Sequence, residues 1–530
     1  MLINKIKISL IIFLIFGFSI KLHSQNSFID ETIADIEGEK ITTSLFQELW
    51  EMSPHLNTRV KNYSLSEKIN FLNTIIAYKL WYRNSADYRV DTSVAFSTAI
   101  EEIKKMYVRD ALYKKEILDK ITITNEELNS ALKKQGKTLV VNYLLAPKEE
   151  EIKNLYTLLI SGIPFDSLLR ERDEYKNQSE PLNIKFGDYP EPIEEELFSL
   201  LPGLFSQPIQ FRDGYYIFYL KNVNKKIWAG YDEQEKEKQK AEDVIKKRKE
   251  NILYDSFMKN TLNGIKADVN RNMFKKLETG LIDAFAGKTV GEEKSSFITL
   301  SIDEFIKLKK QFTEEELNDI FITFSWGTIS FDKCLRALYF NGLRMPSSNP
   351  EVIKGTFDTY IRSYIEMELL YRNGVNNGLQ YSDEVKKYLK IWSEYYTFET
   401  IRGGMIDTVK ITEDEIRNAY SKIYKEMNKN TFGKTDSTCL EDSSYENVHS
   451  KVKTQLAMEK IKYRITKKTA DFAVRSKVII NYNVLSKMDL TNISSMTIRF
   501  MGFGGSISGV PVYTPNYEWT ELLDSKTVIP

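Results

Sequence analysis

At 530 residues the chain is long enough for roughly three or four domains of about 100–200 residues each. Its 42% apolar and 12% aromatic content suffices for packed cores and excludes a disordered chain. The 74 basic and 74 acidic residues cancel, so no basic surplus points to nucleic acid as a partner.

Residues 1–24 read as an export leader. Lys5 and Lys7 form a basic start, Ile8 to Ile20 an apolar run of signal-peptide length, and Lys21 to Ser24 a polar cleavage region. Its removal leaves 71 basic against 74 acidic residues, and no later stretch reaches the ~18 continuous apolar residues of a membrane span. A mature protein without a transmembrane segment, exported and soluble, is expected.

Residues 64–82 predict an amphipathic helix, with Leu65, Ile69, Leu72, Ile76 and Leu80 at helical spacing and Ser64 and Glu67 placed as a capping box. A second helix is predicted over 94–118, and a third starts at Thr124 with Glu127 again at capping-box spacing. From Thr138 to about Val223 the pattern changes. "TLVVNYLLAP" predicts a strand, 148–161 a helix, "EPIEEELFSLL" a short helix, and "GYYIFYLK" after Asp213 a strand of β-forming residues. Residues 231–262 mix both charge signs around Val244, Ile245, Ile252, Leu253 and Phe257, which predicts a long exposed helix with a narrow apolar seam. Helical pieces recur around 273–285 and 299–308 without an assignment. Residues 430–446 read as a polar loop, about 446–474 as a helix, "SKVIINYNVL" (476–485) as a strand, and the tail from 491 as glycine-containing β structure.

The pattern also repeats. "ITITNEELNSA" (121–131) returns as "VKITEDEIRNA" (409–419), a shift of 288, and "WYRN" (81–84) returns as "LYRN" (370–373), a shift of 289. "GEKITTSLF" and "SWGTISFDK" place Ile41 and Ile329 at the same 288 separation, which predicts a duplicated helical module.

Candidate chemistry is sparse. The two cysteines, Cys334 and Cys439, form no C-x-x-C, and after leader removal only His55 and His449 remain. No zinc-ligand spacing appears, and Gly502, Gly504, Gly505 and Gly509 do not form a nucleotide-binding fingerprint. No cofactor is implied.

The segment "FSLLPGLFSQPIQFRDGYYIFYL" (198–220) resembles the closing half of a parvulin-type prolyl isomerase. Phe198, Leu200, Gly203, Ser206, Pro208, Gly214 and Tyr215 fall on the family's pattern. "LLISGIPFDSLLRE" and "VVNYLLA" resemble its earlier helix and first strand. The flanks, beginning "IADIEGEKITTSLFQELW", resemble SurA-type periplasmic chaperones. The resemblance implies two histidines facing each other across the sheet of an active parvulin. Here those positions fall on Tyr143 and Tyr216, and of the glycine-rich loop only Gly187 matches.

A multidomain, mainly α protein is therefore expected, with one α+β parvulin-like domain, duplicated helical modules and a short C-terminal β segment. The boundaries are a leader at 1–24, a helical module at 25–137, the parvulin-like domain at 138–228 and a charged connecting helix at 229–265. Residues 266–317 stay unassigned, followed by a second helical module at 318–430, a helix and strand at 431–490 and a β-like tail at 491–530. The resemblance implies a periplasmic chaperone for unfolded polypeptides, including outer-membrane β-barrel precursors, whose parvulin domain has lost isomerase activity. Two alternatives remain open. One is an active peptidyl-prolyl isomerase with Tyr143, Leu145, Phe186, Phe198 and Tyr216 lining its pocket. The other is a structural subunit of an envelope assembly docking through its tail.

Overall fold

The computed structural model describes residues 30–54, 64–171, 181–212, 214–289, 296–406, 408–430, 445–491 and 497–523. The expected leader, His55, Cys439, Asp213 and the polar loop at 431–444 lie outside them. The chain is mainly α, with one α+β domain and several small sheets.

In chain order a hairpin comes first, β1 (Thr32–Ile36) and β2 (Glu39–Thr42), followed by α1 (Thr43–Met52), α2 (Leu65–Arg83), α3 (Val94–Glu116) and α4 (Asn125–Gln135). The α+β domain follows, with β3 (Lys137–Ala146), α5 (Glu149–Ile160), α6 (Phe165–Arg170), β4 (Leu182–Ile184), α7 (Glu191–Ser199), β5 (Ile209–Phe211) and β6 (Gly214–Lys225). Then come α8 (Tyr231–Leu262), β7 (Ala267–Val269), α9 (Arg271–Phe285), β8 (Ile298–Thr299), α10 (Ile302–Lys309) and α11 (Glu314–Asn318). A second hairpin, β9 (Ile320–Phe324) and β10 (Gly327–Ser330), leads into α12 (Phe331–Phe340), β11 (Arg344–Met345), α13 (Pro350–Asn376), α14 (Asp383–Ile406) and α15 (Glu413–Asn430). The chain ends with α16 (Tyr445–Arg475), β12 (Ile479–Ile480), α17 (Tyr482–Lys487), β13 (Ile498–Phe500) and β14 (Ser506–Ser508).

The second hairpin, α12 and α15 start 288 residues after β1, α1 and α4, and α14 starts 289 after α3. Beyond the α+β domain the shift becomes 211. "KADVNRN" (266–272) returns as "KVIINYN" (477–483), and in both an asparagine, Asn270 or Asn481, caps the next helix through its side chain. That cap explains why the strand expected at 476–485 stops at Ile480. Side-chain contacts repeat with the same shifts. Lys249 on α8 binds Glu127 at 2.6 Å and the Thr122 carbonyl, while Lys460 on α16 binds Glu415 at 2.5 Å and the Lys410 carbonyl. Each of those glutamates closes the capping box that starts α4 or α15.

The copies do not fold on themselves. One compact unit takes residues up to 96, 391–499 and from 508 onward, and the other takes 97–390 and 500–507. The first unit therefore joins the opening half of copy one to the closing half of copy two. The second unit joins the remaining halves. In the first, β1 pairs antiparallel with β2 and with β12, Ala34 opposite Ile480. In the second, β9 pairs antiparallel with β10 and with β7, Ile322 opposite Val269. Each hairpin thus takes its third strand from the other copy.

In the first unit the core gathers on α2. Its second half is buried all round, from Leu72 to Trp81, rather than along the single stripe expected, because α14, α16 and the tail all contribute to its surroundings. The Trp81 indole donates to Thr469, and Trp519, held in a one-turn helix of the tail, donates to the Asn73 carbonyl. Among its described residues the tail thus holds two short strands and this helical turn, and otherwise packs as irregular chain. The second unit's core runs from Met273 through Phe331 and Cys334 to Leu369, so the stretch left unassigned at 266–317 forms part of it.

Each unit contains one buried lysine clamped between helices. In the first, Lys79 of α2 lies 2.8 Å from Glu394 of α14 and 2.7 Å from Glu39. In the second, Lys105 of α3 lies 2.5 Å from Glu368 of α13 and 2.8 Å from Glu102. Burial opposes both charges, but the facing carboxylates outweigh it and hold both ammonium groups above their ordinary pKa. Lys79 and Glu368 are equivalent at the 289 shift, and so are Lys105 and Glu394. At these two equivalent pairs copy one supplies the lysines and copy two the glutamates, while Glu39 and Glu102 are added from copy one. Self-closed copies would bury lysine against lysine and glutamate against glutamate, so charge polarity selects the interleaved arrangement.

Two double variants of identical composition test this. Lys79→Glu with Glu394→Lys keeps opposite charges across α2 and α14, though it turns the Glu39 contact repulsive, and should lose the less stability of the two. Lys79→Glu with Glu368→Lys leaves like charges facing each other in both units, and its melting temperature should fall by roughly 5–10 °C or more. Equal melting curves for the two would reject charge selection.

Candidate functional site

The α+β domain is an antiparallel sheet in the order β4-β3-β6-β5. Alternation along β3 and β6 gives it two faces. Leu144, Ala146 and Ile217 pack under Ile152 and Leu159 of α5 and Phe165 and Leu168 of α6. On the other face Leu139, Val141, Phe218 and Leu220 meet Ile193 and Leu197 of α7. A bulge between Val140 and Val141 resets the register, so that Tyr143 stands opposite Phe218 and Leu145 opposite Tyr216.

That second face ends in an aromatic cluster. The Tyr143 and Tyr216 rings are 5.8 Å apart, and Tyr216 stacks on Phe218 at 5.7 Å. Phe211 of β5 lies 6.1 Å from Tyr216 and 5.3 Å from Tyr189. Burial pushes the Tyr189 phenol above its ordinary pKa. Tyr143, Tyr189, Phe211 and Tyr216 are half-buried, so the cluster presents a partly open aromatic surface rather than a sealed core. It contains no imidazole, carboxylate or thiol, and residues 138–228 contain no histidine or cysteine at all.

The motif residues that match the parvulin pattern hold the backbone. The Ser206 hydroxyl accepts from the Phe218 amide at 3.0 Å, and the Ser206 amide donates to the Phe218 carbonyl at 2.8 Å. The Gly203 amide donates to the Leu220 carbonyl at 2.7 Å. A Cβ at Gly214 would meet the tip of the Leu145 side chain at 2.6 Å, so any other residue there would push Leu145 aside. Gly187 has φ +94 and would press a Cβ to 2.8 Å from Val244 of α8. Its amide donates to Glu194, a fully buried carboxylate that also receives Arg248 of α8 at 2.8 Å. The turn at Gly187 therefore docks the domain onto its own connecting helix.

Three of the five candidate residues, Tyr143, Leu145 and Tyr216, come together on this face. Phe186 does not. It packs with Ala131, Ala241 and Ile245 between α4 and α8, with the Arg248 guanidinium 5.0 Å above its ring. Phe198 bridges the sheet face and that second cluster. The reason is local. The turn at Gly187 directs the chain around Phe186 toward α8, away from the open end of the sheet. Sequence reasoning missed Phe218, Phe211 and Tyr189. The period-two spacing of Tyr216 and Phe218 already places both on one face, whereas Phe211 and Tyr189 reach it only through the pairing of β5 and the β4–α7 turn.

Elsewhere, His449 contacts Glu413 at 3.0 Å in the other unit. Among the described residues no cluster of three or more histidine, cysteine, aspartate or glutamate side chains is placed to hold a metal, and no helix is long and apolar enough to cross a membrane.

No protein-family model matches the chain, and no curated protein does. Solved structures do match. The foldase protein PrsA of Streptococcus pneumoniae is 19% identical over 42% of this chain and 89% of its own, with a TM-score of 0.22. The peptidylprolyl isomerase PrsA of Bacillus anthracis is 19% identical over 35% of this chain and 96% of its own, with a TM-score of 0.19. That of Bacillus cereus is 16% identical over 53% and 99%, with a TM-score of 0.18.

Ser206→Ala strips the buried Phe218 amide of its side-chain acceptor and should cost roughly 1–3 kcal/mol in chemical denaturation. A loss below about 0.5 kcal/mol would show that the Ser206 hydroxyl does not hold the strand.

Proposed function

We propose that this protein is an exported chaperone that holds unfolded polypeptides, with a parvulin-like domain that binds apolar segments and no longer isomerises proline. One observation carries the reading. The residues shared with the parvulin pattern are those that fix backbone geometry, while both positions where the family keeps histidines are occupied by facing tyrosines, Tyr143 and Tyr216, in an aromatic cluster. A phenol has an unperturbed pKa near ~10 and does not replace an imidazole network. An open aromatic face is nonetheless suited to bury apolar side chains of a non-native segment.

The cellular setting follows from the leader at residues 1–24, which supports export and, in a two-membrane bacterium, a periplasmic site. A SurA-type relationship and outer-membrane β-barrel clients belong to the same proposal. The helical unit in which an N-terminal hairpin is completed by a strand following a long C-terminal helix supports it.

Two assays test it. The full mature protein should leave isomerisation of a proline-containing peptide at its uncatalysed rate, tens to hundreds of seconds at 25 °C. At equimolar ratio it should suppress aggregation of a denatured outer-membrane protein. Catalysis that Tyr216→Ala abolishes in a folded variant would reject the inactive-domain reading. Unchanged aggregation would reject the holding function.

A further inference from the structure

The two hairpins differ where the repeats otherwise agree. In the first unit the hairpin turns at Glu37–Gly38, and Arg83, at the end of α2, binds the Glu37 carboxylate at 2.6 Å and approaches Glu39 at 3.7 Å. The equivalent arginine of the second unit is Arg372, placed by the shared "YRN" of α2 and α13. Its hairpin turns at Ser325–Trp326, so serine replaces Glu37, and Gly327 replaces Glu39. Both carboxylates are gone, and Arg372 makes no ion pair or hydrogen bond among the described residues.

Arg372 instead lines a cleft of about 760 Å³ within the second unit. Trp326 and Ile265 stand in its wall, Phe257 and Leu253 of α8 add apolar surface, and Asn376 and Asn260 offer amides. Trp326 is stacked on Phe324 at 4.7 Å and is 38% exposed, a large aromatic left in water at the tip of a turn. The other charged lining groups, Glu116 and Lys120, neutralise each other at 2.5 Å. The cleft therefore has one unmatched positive charge beside an apolar wall.

We infer that this cleft binds a polypeptide segment carrying a glutamate next to an aliphatic residue, the carboxylate taking Arg372 and the aliphatic side chain resting against Trp326. The protein contains the polar half of the template, since Glu37 presents its carboxylate to Arg83 in the sister unit, and the exposed ring of Trp326, where that hairpin has Gly38, adds the apolar half. An arginine–carboxylate pair in a partly enclosed site is charge-assisted and directional. The site deepens the chaperone reading by naming a client feature, and it rests on that reading for its biological role.

The test uses the full mature chain and a fluorescent peptide copying Asp35–Lys40 (Asp-Ile-Glu-Gly-Glu-Lys), blocked at both ends. Anisotropy should report saturable binding, and replacing both peptide glutamates by glutamine should weaken it roughly 10–100-fold. Arg372→Ala should weaken it by a similar factor. Ser325→Glu should abolish it by restoring an internal carboxylate, while raising the melting temperature. A glutamine peptide that binds equally well, or binding that survives Ser325→Glu, overturns the inference, as does absence of binding to the unaltered protein. A peptide bearing only a free C-terminal carboxylate should bind at least tenfold more weakly, and equal binding would overturn the assignment to glutamate. The two readings fail separately. Aggregation suppression without peptide binding would leave the chaperone standing and remove this cleft, and peptide binding without suppression would do the reverse.

Discussion

Two buried lysines decide which parts of this chain meet. A lysine with 4% or less of its surface exposed is costly to bury unless a carboxylate faces it, and Lys79 and Lys105 each have two. Apolar packing alone would not distinguish one copy's helices from the other's, since both present similar leucine, isoleucine and aromatic surfaces. Reversed polarity does. Copy one supplies each lysine with one carboxylate of its own, Glu39 or Glu102, and copy two supplies the second, Glu394 or Glu368, so each unit is complete only when both copies contribute. Interleaving has a kinetic consequence as well. The sheet of the first unit cannot close until Ile480 exists to pair with Ala34, a contact spanning most of the chain, and such long-range pairing slows folding.

The parvulin-like domain separates two kinds of sequence matching. Ser206, Gly203 and Gly214 sustain the crossing of the strands, and each is explained by a hydrogen bond or a close approach that another residue would disturb. Tyr143 and Tyr216, where the resemblance would place histidines, instead contribute their rings to the aromatic cluster.

Much of this is legible in the order of the amino acids alone. The capping boxes at Ser64 and Thr124 form, the charged helix runs from Tyr231 to Leu262, and the strand that starts at Gly214 takes its place in the sheet, extended to Lys225. These signals are local, set by side chains reaching their own backbone or by period. What stays hidden depends on partners distant in sequence. The first half of α2 reads as amphipathic, yet its second half is enclosed by elements some 300 residues or more away. The repeat is visible only up to α15, because the α+β insert changes the shift to 211 and hides the match between the segments around Asn270 and Asn481. Phe186 reads as a pocket residue because its neighbours in sequence belong to the domain, whereas its neighbours in space belong to α4 and α8.

The insert itself shows how a repeat can acquire a domain without losing its own packing. It enters at Lys137 and leaves at Lys225, and these two residues are paired across β3 and β6. Just outside them the Lys226 amide donates to the Gly136 carbonyl at 2.9 Å. The two ends of the insert thus lie side by side, so that α4 and α8 continue as though joined by a short loop, and closing the ends costs no more than a hairpin does. Glu194 then turns a tethered domain into a docked one, because its carboxylate, buried within the insert, is matched by Arg248 of α8 and by the Gly187 amide. A rigid attachment of this kind fixes the direction in which the aromatic face looks.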